Sequence, residues 1–472
     1  MNFPICMPTR RSFLRSSLVA TSAMFAEALG AAIPEADRGV TFLKPEDAGY
    51  AEARTLYNAE IKTQPQRIAR CLHENGVEAA VRTAIAENWP MAVKAGGHSF
   101  EGLSLNDHGL VVEVSSMKEM RLDARTGGLT AAAGCRIGEI NRFLTARGRF
   151  LPAGSCETVG LAGLTLGGGY GMFSRKWGLT CDHLQAVRMV DGTGSIRDSR
   201  DEPELLWACR GGGNGHFGVV TQLTLQTRPV PKSFSSWKFR GYRLDVEKAR
   251  VLLAAWFEAT MKLPPEAFSA WVMNGRQVTV LLTTIGSAED RGIVTFRRLV
   301  GSATDSTTTA RVVSLAEALP RYYGEPGPQF FKNASGGFYD GIGDLAATLP
   351  AIFAEVLEEP GMIFQINTLG GAIANGPVGA YPHRAMGYLG EVQSFWVNPA
   401  HGPARIAVAG RIREQIARAG VHRHYANYPD LAFTDWPTAY YGEKNYRRLQ
   451  LCKLRYDPQN RFRHAQSVRL PE

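Results

Sequence analysis

The sequence predicts an α+β protein in which two glycine-rich parts enclose an inserted α/β segment. Apolar residues recur at helical spacing over residues 47–63 and 77–88, and the short apolar run Met91–Lys94 is typical of a buried strand. A loop with seven glycines, residues 154–171, interrupts this alternation of helices and strands. The glycine-poor residues 232 to about 424 alternate strands with helices again, which favours a separate domain.

The glycine-rich loop, GSCETVGLAGLTLGGGYG, is predicted to be neither helix nor strand, because glycine loses more backbone freedom on ordering than any other residue. A flexible linker is the alternative, but linkers rarely interleave apolar residues such as Val159, Leu161 and Leu164 with their glycines. Close approach of backbone to a ligand accounts for this composition, with N–H groups turned toward an anion such as a pyrophosphate. We therefore predict a ligand cradle here.

A second candidate ligand contact follows Met91–Lys94, where the chain enters the turn AGGHS. A single histidine is usually a surface or core residue with no chemical role. His98, however, follows two glycines and precedes Ser99, so its ring projects from a turn whose backbone has room to touch a phosphate. His98 is therefore a candidate functional residue.

A third glycine loop, GGGNGHFG, fits the GxGxxG spacing at Gly213, Gly215 and Gly218. The dinucleotide fingerprint needs a strand before this loop and a helix after it. The sequence predicts the reverse order, with a helix over residues 202–210 and a strand over 219–227. We therefore reject a Rossmann fold and expect this loop to approach the same ligand as the other two.

The first residues, 1–32, have the pattern of a twin-arginine export signal. Arg10 and Arg11 precede Phe13 and Leu14, and a moderately apolar stretch with small residues follows. The twin-arginine export machinery carries folded proteins, so the leader predicts a cofactor inserted before export and a periplasmic or secreted product. No later apolar run approaches the length that spans a bilayer, so we expect no stable membrane insertion.

Charge and cysteine spacing exclude two classes of site. The chain of 472 residues has a net charge of +9, but its basic residues are scattered rather than interleaved with aromatics, so nucleic-acid binding is not expected. Its seven cysteines form no CxxC or other metal-binding spacing, so no metal site is predicted. Most of them are expected to be buried, and their spacing does not determine any disulfide pairing.

Domain boundaries are predicted from the proline-rich stretch RPVP, which ends a strand and stiffens the connection. We predict a first domain over residues 40–229 and a substrate domain over residues 230–424. The tail, residues 425–472, is predicted to return to the first domain.

Within the substrate domain, residues 364–369 alternate apolar and polar side chains, as in a strand with two different faces. Gln365 and Asn367, with Tyr388 and Gln393, are candidates for lining a polar pocket that receives a substrate. The alternative is that these polar residues form the solvated face of a sheet.

Together, the motifs VKAGGHSFEG, AGSCETVGLAGLTLGGGYG, WGLTCDHL, ELLWACRGGGNGHFGVVT, YPHR, YANYPD, YYGEKNYRRL and YDPQNRF resemble those of the berberine bridge enzyme group. These are FAD-linked oxidases of the vanillyl-alcohol oxidase type, and the resemblance covers nearly all of the chain after the leader. It implies a two-part FAD-binding domain of the PCMH type with an inserted α/β substrate domain. His216 and Tyr381 stand where relatives often have asparagine and phenylalanine, so the resemblance does not determine the shape of the pocket.

The resemblance implies FAD bound covalently, through its 8α-methyl group to His98 and through C6 to Cys156. It implies that Tyr428, in YANYPD, is the general base, although a phenol needs nearby donors or positive charge to act so near neutral pH. The other cofactor-binding residues implied are Ala95, Gly96, Gly97, Ser99, Thr158, Val159, Gly163, Gly168, Tyr170, Gly171, Asp182, Gly218, Val220 and Asn445.

The implied activity is the oxidation of an alcohol to a carbonyl, or of a sugar lactol to a lactone, with O2 reduced to hydrogen peroxide. A carbohydrate is the first expectation for the substrate, because double attachment of FAD accompanies open pockets in this group, and an aromatic or polyketide alcohol is the second. The alternatives are a dehydrogenase with a quinone or cytochrome acceptor, a flavin-dependent cyclase, and a flavoprotein that only binds its ligand.

Overall fold

The computed structural model describes residues 39–308 and 311–472. The predicted export signal, residues 1–32, lies outside the described residues. Within the described ranges, no helix has both the length and the apolar character needed to cross a membrane.

The first sheet has four strands in the order β1-β2-β4-β3. Its strands are β1 (Val40–Leu43), β2 (Arg67–Cys71), β3 (Met91–Lys94) and β4 (Leu110–Glu113). β4 runs parallel to both β2 and β3, and the helix Glu74–Ala86 connects β2 to β3. The apolar positions of that helix, such as Val77 and Val81, are fully buried, so the helical spacing in this part of the sequence correctly predicts a core-facing helix.

A second sheet of five strands packs against the same core. Its strands are β5 (Met120–Leu122), β6 (Gly128–Ala132), β7 (Leu184–Asp191), β8 (Ile196–Asp198) and β9 (Gly218–Gln226). They lie in the order β5-β6-β9-β7-β8, and every pairing is antiparallel. The neighbouring helices are Ile137–Thr145, Leu161–Leu166, Ser174–Trp177 and Pro203–Cys209, with a 3-10 turn at Thr180–His183.

The glycine-rich loop contains a helix, which contradicts the prediction that it has no regular structure. Leu161–Leu166 is helical and has Gly163 as its single interior glycine. Leu161, Ala162 and Leu166 are buried in the core of the first two sheets, so tertiary packing offsets the entropy that one glycine costs. The other glycines of the loop lie outside this helix.

Residues 47–63 also differ from their predicted helix, since only Tyr50–Arg54 is helical. The chain then becomes extended because its backbone bonds to distant segments. Tyr57 N donates to Gly97 O at 2.9 Å, and Ala59 N donates to Gln329 O at 2.8 Å. These bonds bring Tyr57 beside the turn that carries His98.

The largest sheet is antiparallel throughout and is formed from the middle of the chain. Its long strands are β10 (Phe234–Gly241), β11 (Ala267–Asn274), β12 (Gln277–Thr284), β13 (Phe330–Tyr339), β14 (Met362–Thr368) and β15 (Tyr388–Trp396). They lie in the order β10-β12-β11-β14-β15-β13, and the short strands Ser306–Thr307 and Arg311–Val313 pair with β10.

Four long helices cover one face of this sheet. They are Val246–Thr260, Arg291–Ala303, Leu349–Glu358 and Gly402–Arg418. Asp245 and Asp290 cap the first two by accepting backbone N–H groups. The helices bury alternate strand residues in one apolar core, among them Phe364 and Ile366 of β14. The residues between them, such as Gln365, therefore face the other side of the sheet.

The tail packs into the core of the first two sheets. Its helix Trp436–Tyr456 has a kink at Gly442, where φ is +66°. Trp436, Tyr440 and Leu449 belong to the same apolar cluster as the buried residues of β2, β4 and β9. The chain thus runs from the large sheet back to the first two sheets, and the exact domain boundaries remain a prediction.

Candidate active site

A cavity of about 520 Å³ lies where the three glycine loops, the tail and the face of the large sheet opposite its four long helices meet. A volume of several hundred Å³ is typical of a ligand site. The predicted residues that line it are Ala95, Gly96, Gly97, His98, Ser99, Cys156, Thr158, Val159, Gly163, Tyr170, Gly171, Gly218, Val220, Gln365, Asn367, Gln393 and Tyr428. The fold therefore brings together residues that are distant in the sequence.

Two of the glycine loops touch through their backbones. A Cβ atom at Gly96 would lie 2.3 Å from Gly160 N, and one at Gly160 would lie 2.7 Å from Gly96 N. Only glycine permits this approach, which joins the turn after β3 to the start of the helix Leu161–Leu166. Gly163 differs, because a Cβ there would meet no protein atom within 4 Å although Gly163 lines the cavity.

His98 is held by one hydrogen bond and one ring contact. Its Nε2 atom lies 2.8 Å from Thr158 Oγ1, and its ring stacks on Tyr57 with 4.2 Å between centroids and 19° between planes. Burial, and next the positive charge of Arg136, lower the pKa of His98 to about 4. The imidazole is therefore neutral near pH 7, with a lone pair on one ring nitrogen.

Cys156 lines the same cavity and is a solvent-exposed residue. Desolvation by the surrounding protein, followed by the negative charge of Glu391, raises the pKa of the Cys156 thiol. Cys156 also contributes to the raised pKa of Tyr57, after burial, so the thiol lies near the ring that stacks on His98. The other five cysteines in the described ranges are buried and unpaired, as the sequence predicts for most of them.

Tyr428 lies in a cluster of aromatic rings. Its hydroxyl oxygen is 2.6 Å from that of Tyr170, and its ring stacks on Phe100 with a centroid distance of 5.4 Å. Burial, followed by the charge of Glu391, raises the pKa of Tyr428 well above 10. The phenol is therefore protonated near neutral pH, and among the described residues that line the cavity there is no lysine or arginine to stabilise its phenolate.

Glu391 is a candidate functional residue that the sequence motifs do not indicate. It lines the cavity on β15, is 4% exposed, and accepts a hydrogen bond of 2.6 Å from Asn333 Nδ2. Burial raises its pKa to about 7, although hydrogen bonds to Asn333, Gln393 and Tyr428 oppose this shift. A carboxyl group with a pKa near ambient pH has the protonation balance that suits a general base. The sequence does contain a signal for Glu391: it lies two residues before Gln393 on β15, and residues two apart in a strand face the same side of the sheet.

The polar pocket residues of β14 join the same hydrogen-bond network. Asn367 Nδ2 donates to the hydroxyl of Tyr170 at 3.2 Å, and Gln365 Nε2 donates to Asn367 Oδ1 at 2.9 Å. The side chains of Gln365 and Asn367 are thus directed to the cavity rather than forming a solvated sheet face. The network continues from Tyr170 through Tyr428 to Glu391.

The assignment of Tyr388 to this pocket is wrong. Tyr388 belongs to β15 with Glu391 and Gln393, but its position is of opposite parity, so its side chain lies on the helix-covered face. Its hydroxyl is 2.8 Å from Thr260 Oγ1, and its ring packs against Phe257.

Three predicted cofactor residues also lie outside the cavity lining and have structural contacts instead. The Asp182 carboxylate pairs with Arg384 at 2.7 Å, and Asn445 Nδ2 donates to Ala380 O at 3.0 Å. Gly168 has a φ of +124°, and a Cβ there would lie 3.1 Å from the ring of Tyr381. His216 does line the cavity, and its Nε2 lies 3.2 Å from the hydroxyl of Tyr441.

The lining of the cavity includes acidic side chains but no lysine or arginine among the described residues. The carboxylates are those of Glu325 and Glu391. Buried polar atoms without partners are also present, namely Oδ1 of Asn214 and of Asn333. The cavity thus offers a ligand backbone N–H groups, amides and hydroxyls, and its described lining residues include no basic lysine or arginine side chain.

These features fit FAD, because glycine loops that bring backbone N–H groups to a cavity are suited to a pyrophosphate. The open space beside Gly163 and the unpaired Oδ1 atom of Asn214 are consistent with a large polar ligand. No group of side chains in the described part of the chain has the composition of a metal site. The residues present therefore accommodate this cofactor.

Comparisons with known proteins are consistent with an FAD site in this chain. Residues 65–200 match the family model described as FAD binding domain, and residues 424–469 match the model described as berberine and berberine like. The first model contains the turn with His98 and the loop with Cys156. The second begins four residues before Tyr428.

Relatives align over nearly the whole chain. The FAD-linked oxidoreductase YgaK of Bacillus subtilis is 29% identical, over 90% of this chain and 95% of its own length. Aclacinomycin-N/aclacinomycin-A oxidase of Streptomyces galilaeus is 28% identical, over 98% of each chain. The structure of xylooligosaccharide oxidase from Myceliophthora thermophila superimposes with a TM-score of 0.82 at 22% identity, over 93% of this chain and 98% of that one.

The two family models occur in the same order as the motifs from which the resemblance was recognised, and the fold agrees with solved members of the group. The chain is an FAD-linked oxidoreductase of the berberine bridge enzyme-like family.

Proposed function

We propose that this protein is a secreted oxidase that removes hydride from the carbinol carbon of an uncharged alcohol or sugar lactol and reduces O2 to hydrogen peroxide. One observation carries the proposal: Glu391, with a pKa of about 7, is hydrogen-bonded to Tyr428 in the cavity that His98 and Cys156 also line. A proton acceptor and two candidate flavin attachment sites thus share one cavity.

The chemistry that FAD supplies when bound is the acceptance of two electrons as hydride and their return to O2 as peroxide. The turn at residues 95–99 and the loop at residues 158–163 would hold it through backbone N–H groups. The neutral imidazole of His98 has the free lone pair that an N–C bond to the 8α-methyl group requires. The exposed thiol of Cys156 is available for a second bond, to C6 of the ring.

The proton of the substrate hydroxyl moves through two residues in this proposal. Tyr428 is protonated before substrate binds, so it accepts a proton only as it gives its own to Glu391. The substrate oxygen thereby loses its proton to Tyr428 while the carbinol carbon loses hydride, and Glu391 ends protonated. The Tyr170 hydroxyl hydrogen-bonds to the phenol of Tyr428, and Asn367 in turn donates a hydrogen bond to the Tyr170 hydroxyl. This relay replaces the lone phenolate base that the resemblance alone implies.

The substrate is proposed to be a neutral carbohydrate, with an aromatic or polyketide alcohol as the second choice. Aromatic side chains, including Phe268, Tyr322 and Phe331, line the cavity and offer flat surfaces for sugar or aromatic rings. One relative is named as an aclacinomycin oxidase, and one protein of the same fold as a xylooligosaccharide oxidase. Both names are compatible with a bulky, uncharged substrate.

A peroxide assay tests this proposal. Purified full-length enzyme is incubated in air with neutral oligosaccharides and with aromatic alcohols, and both hydrogen peroxide and flavin reduction are measured. Stoichiometric peroxide supports an oxidase. Flavin that substrate reduces but O2 does not reoxidise would instead favour the dehydrogenase with a quinone or cytochrome acceptor. Flavin that no alcohol reduces would count against alcohol oxidation altogether.

Export through the twin-arginine machinery is part of the same proposal, as are the domain boundaries after residues 229 and 424. The arginine pair Arg10 and Arg11 is proposed to direct the folded, cofactor-loaded protein through twin-arginine export. Replacing both arginines by lysine in the native host should retain the protein in the cytoplasm with its flavin bound. Export of that variant at the wild-type level would contradict the proposal.

A further inference from the structure

Four charged side chains, named here the charge cluster, lie beside the cavity: Glu101, Lys332, Arg413 and Asp430. Lys332 Nζ contacts a carboxylate oxygen of Glu101 and lies 3.1 Å from Asp430 Oδ1. Arg413 Nη1 lies 3.0 Å from Asp430 Oδ2. Their side chains are 3% to 25% exposed, so the two cations and two carboxylates neutralise one another largely away from water.

The two carboxylates adjoin residues of the proposed proton relay. Glu101 directly follows Phe100, whose ring stacks on Tyr428. Asp430 follows Tyr428 by two residues, and its backbone N–H donates to the hydroxyl of Tyr440 at 3.0 Å. Phe100 and Tyr428 come from segments more than 300 residues apart in the sequence. The charge cluster therefore joins the two segments that form this ring stack.

Lys332 links both segments to the large sheet. It lies on β13 between Phe331 and Asn333, which line the cavity, and Asn333 donates a hydrogen bond to Glu391. Alternation along the strand directs Lys332 away from the cavity, so it does not touch a substrate there. Its contacts beside the site are those with Glu101 and Asp430.

We propose that Lys332 is a positioning residue: by holding Glu101 and Asp430 on β13, it fixes Tyr428 where its hydroxyl exchanges a proton with Glu391. This inference rests on the proposed function. The electrostatics of the cluster are consistent with a fixed contact. Burial would raise the pKa of Asp430, but Lys332, the backbone N–H of Ala432 and Arg413 together outweigh burial and lower it, so Asp430 stays ionised.

The test uses the double variant Lys332→Met/Glu101→Gln in the full-length holoenzyme. It removes one cation and one carboxylate, and Asp430 keeps its contact with Arg413, so no buried charge is left without a partner. Lys332→Arg is the conservative variant, which retains a cation that reaches both carboxylates.

The chain offers a matched control in Arg188→Met/Glu74→Gln. Arg188 also bridges two carboxylates, Glu74 at 2.6 Å and Asp198 at 3.7 Å, and Asp198 keeps a second partner in Arg200 at 2.9 Å. None of these four residues lines the cavity. The control therefore removes an equivalent ion pair without touching the site.

Two measurements decide the proposal: a crystal structure of each variant, and the rate constant of flavin reduction by substrate as a function of pH. In Lys332→Met/Glu101→Gln we expect the Tyr428–Tyr170 hydroxyl contact of 2.6 Å to open beyond hydrogen-bonding distance. Reduction should slow by about 100-fold, because small displacements of reacting groups have effects of this size. The pH midpoint near 7 should also move. The control and Lys332→Arg should retain the contact and most of the rate.

A double variant with the 2.6 Å contact, the pH midpoint and the rate of the control would overturn the proposal. If the double variant does not fold, Glu101→Gln alone, which keeps the Lys332–Asp430 contact, is measured in the same way. An unchanged Tyr428 position and rate in that variant would also overturn it. If no alcohol reduces even the wild-type flavin, the proposed function fails, and the crystal distances alone then decide the role of Lys332.

Discussion

Glu391 and Tyr428 form the chemical centre of this account at the scale of single residues. Neither has its ordinary pKa, and the two shifts are complementary: the carboxyl titrates near pH 7, and the phenol stays protonated. A phenol of raised pKa is a poor base, but one that transfers its proton to a neighbouring carboxylate is a competent relay.

Replacing Glu391 by glutamine should remove the final proton acceptor. We expect flavin reduction by substrate to slow by about 10²- to 10⁴-fold, the usual contribution of a general base. In the wild type the ionised carboxylate is the active form, so the rate should rise as pH increases through about 7 and level off above it. Glu391→Gln should show no rise in that range. Stopped-flow measurement across neutral pH checks both points, and a retained rise would contradict the role of Glu391.

Tyr428→Phe tests whether the two residues act as one unit. If protons pass from the phenol to the carboxylate, the double variant Tyr428→Phe/Glu391→Gln should be no slower than the more damaged single variant, because residues of one pathway have non-additive effects. Tyr388→Phe is the control, since its hydroxyl bonds to Thr260 on the other face of the sheet, and its rate should equal that of the wild type. Additive losses would argue for independent roles.

At the scale of elements, the loop with Cys156 and the turn with His98 are packed through Gly96 and Gly160, and Gly163 offers a direct test of the cradle. Gly163→Ala should not destabilise the apoprotein, since no protein atom lies within 4 Å of the new Cβ and alanine favours the helix by about 0.5–1 kcal/mol. It should nevertheless lower flavin content if the cofactor lies against this helix. Absorbance ratios and thermal unfolding of Gly163→Ala and Gly301→Ala, a helix control remote from the cavity, separate the two effects. Full flavin content in Gly163→Ala would place the cofactor elsewhere.

Elements with strong periodicity were predictable from the sequence, and those that depend on tertiary contacts were not. The helix Glu74–Ala86 and the strand Gln277–Thr284 follow their local patterns. The backbone of residues 55–63 instead bonds to the His98 turn and to Gln329. Such contacts, like the burial that places Leu161–Leu166 in a helix, join segments that no local window contains.

The candidate site shows the same division. The glycine loops, His98 and Cys156 are recognisable as motifs, and the alternation of β14 indicates the shared face on which Gln365 and Asn367 line the cavity. Closeness to Gln393 in the sequence does not place Tyr388 in the pocket, because its opposite parity along β15 puts its side chain on the helix-covered face. The sequence motifs do not indicate Glu391, and its raised pKa arises from burial that only the assembled sheet provides.

At the scale of the whole molecule, the net charge of the chain is positive, whereas the charged groups that line the cavity are negative. The chain has a net charge of +9, yet the described residues lining the cavity include two carboxylates and no lysine or arginine. A substrate with a carboxylate would enter a site without a cation to pair with it and would lie near Glu391. We expect an oligosaccharide with a uronic acid to show kcat/KM at least about tenfold below that of its neutral analogue, or ~1.4 kcal/mol. Equal values for the two would contradict this assignment of substrate charge.

The most direct test of the central claim is to precipitate the purified full-length protein with acid and to determine the masses of its flavin-bearing peptides. The account predicts a coloured precipitate whose flavin is attached to both the His98 and the Cys156 peptides. Flavin on the His98 peptide alone would remove Cys156 from the attachment site. A colourless protein, or flavin released freely by acid, would contradict the covalent flavin site on which the proposed function is built.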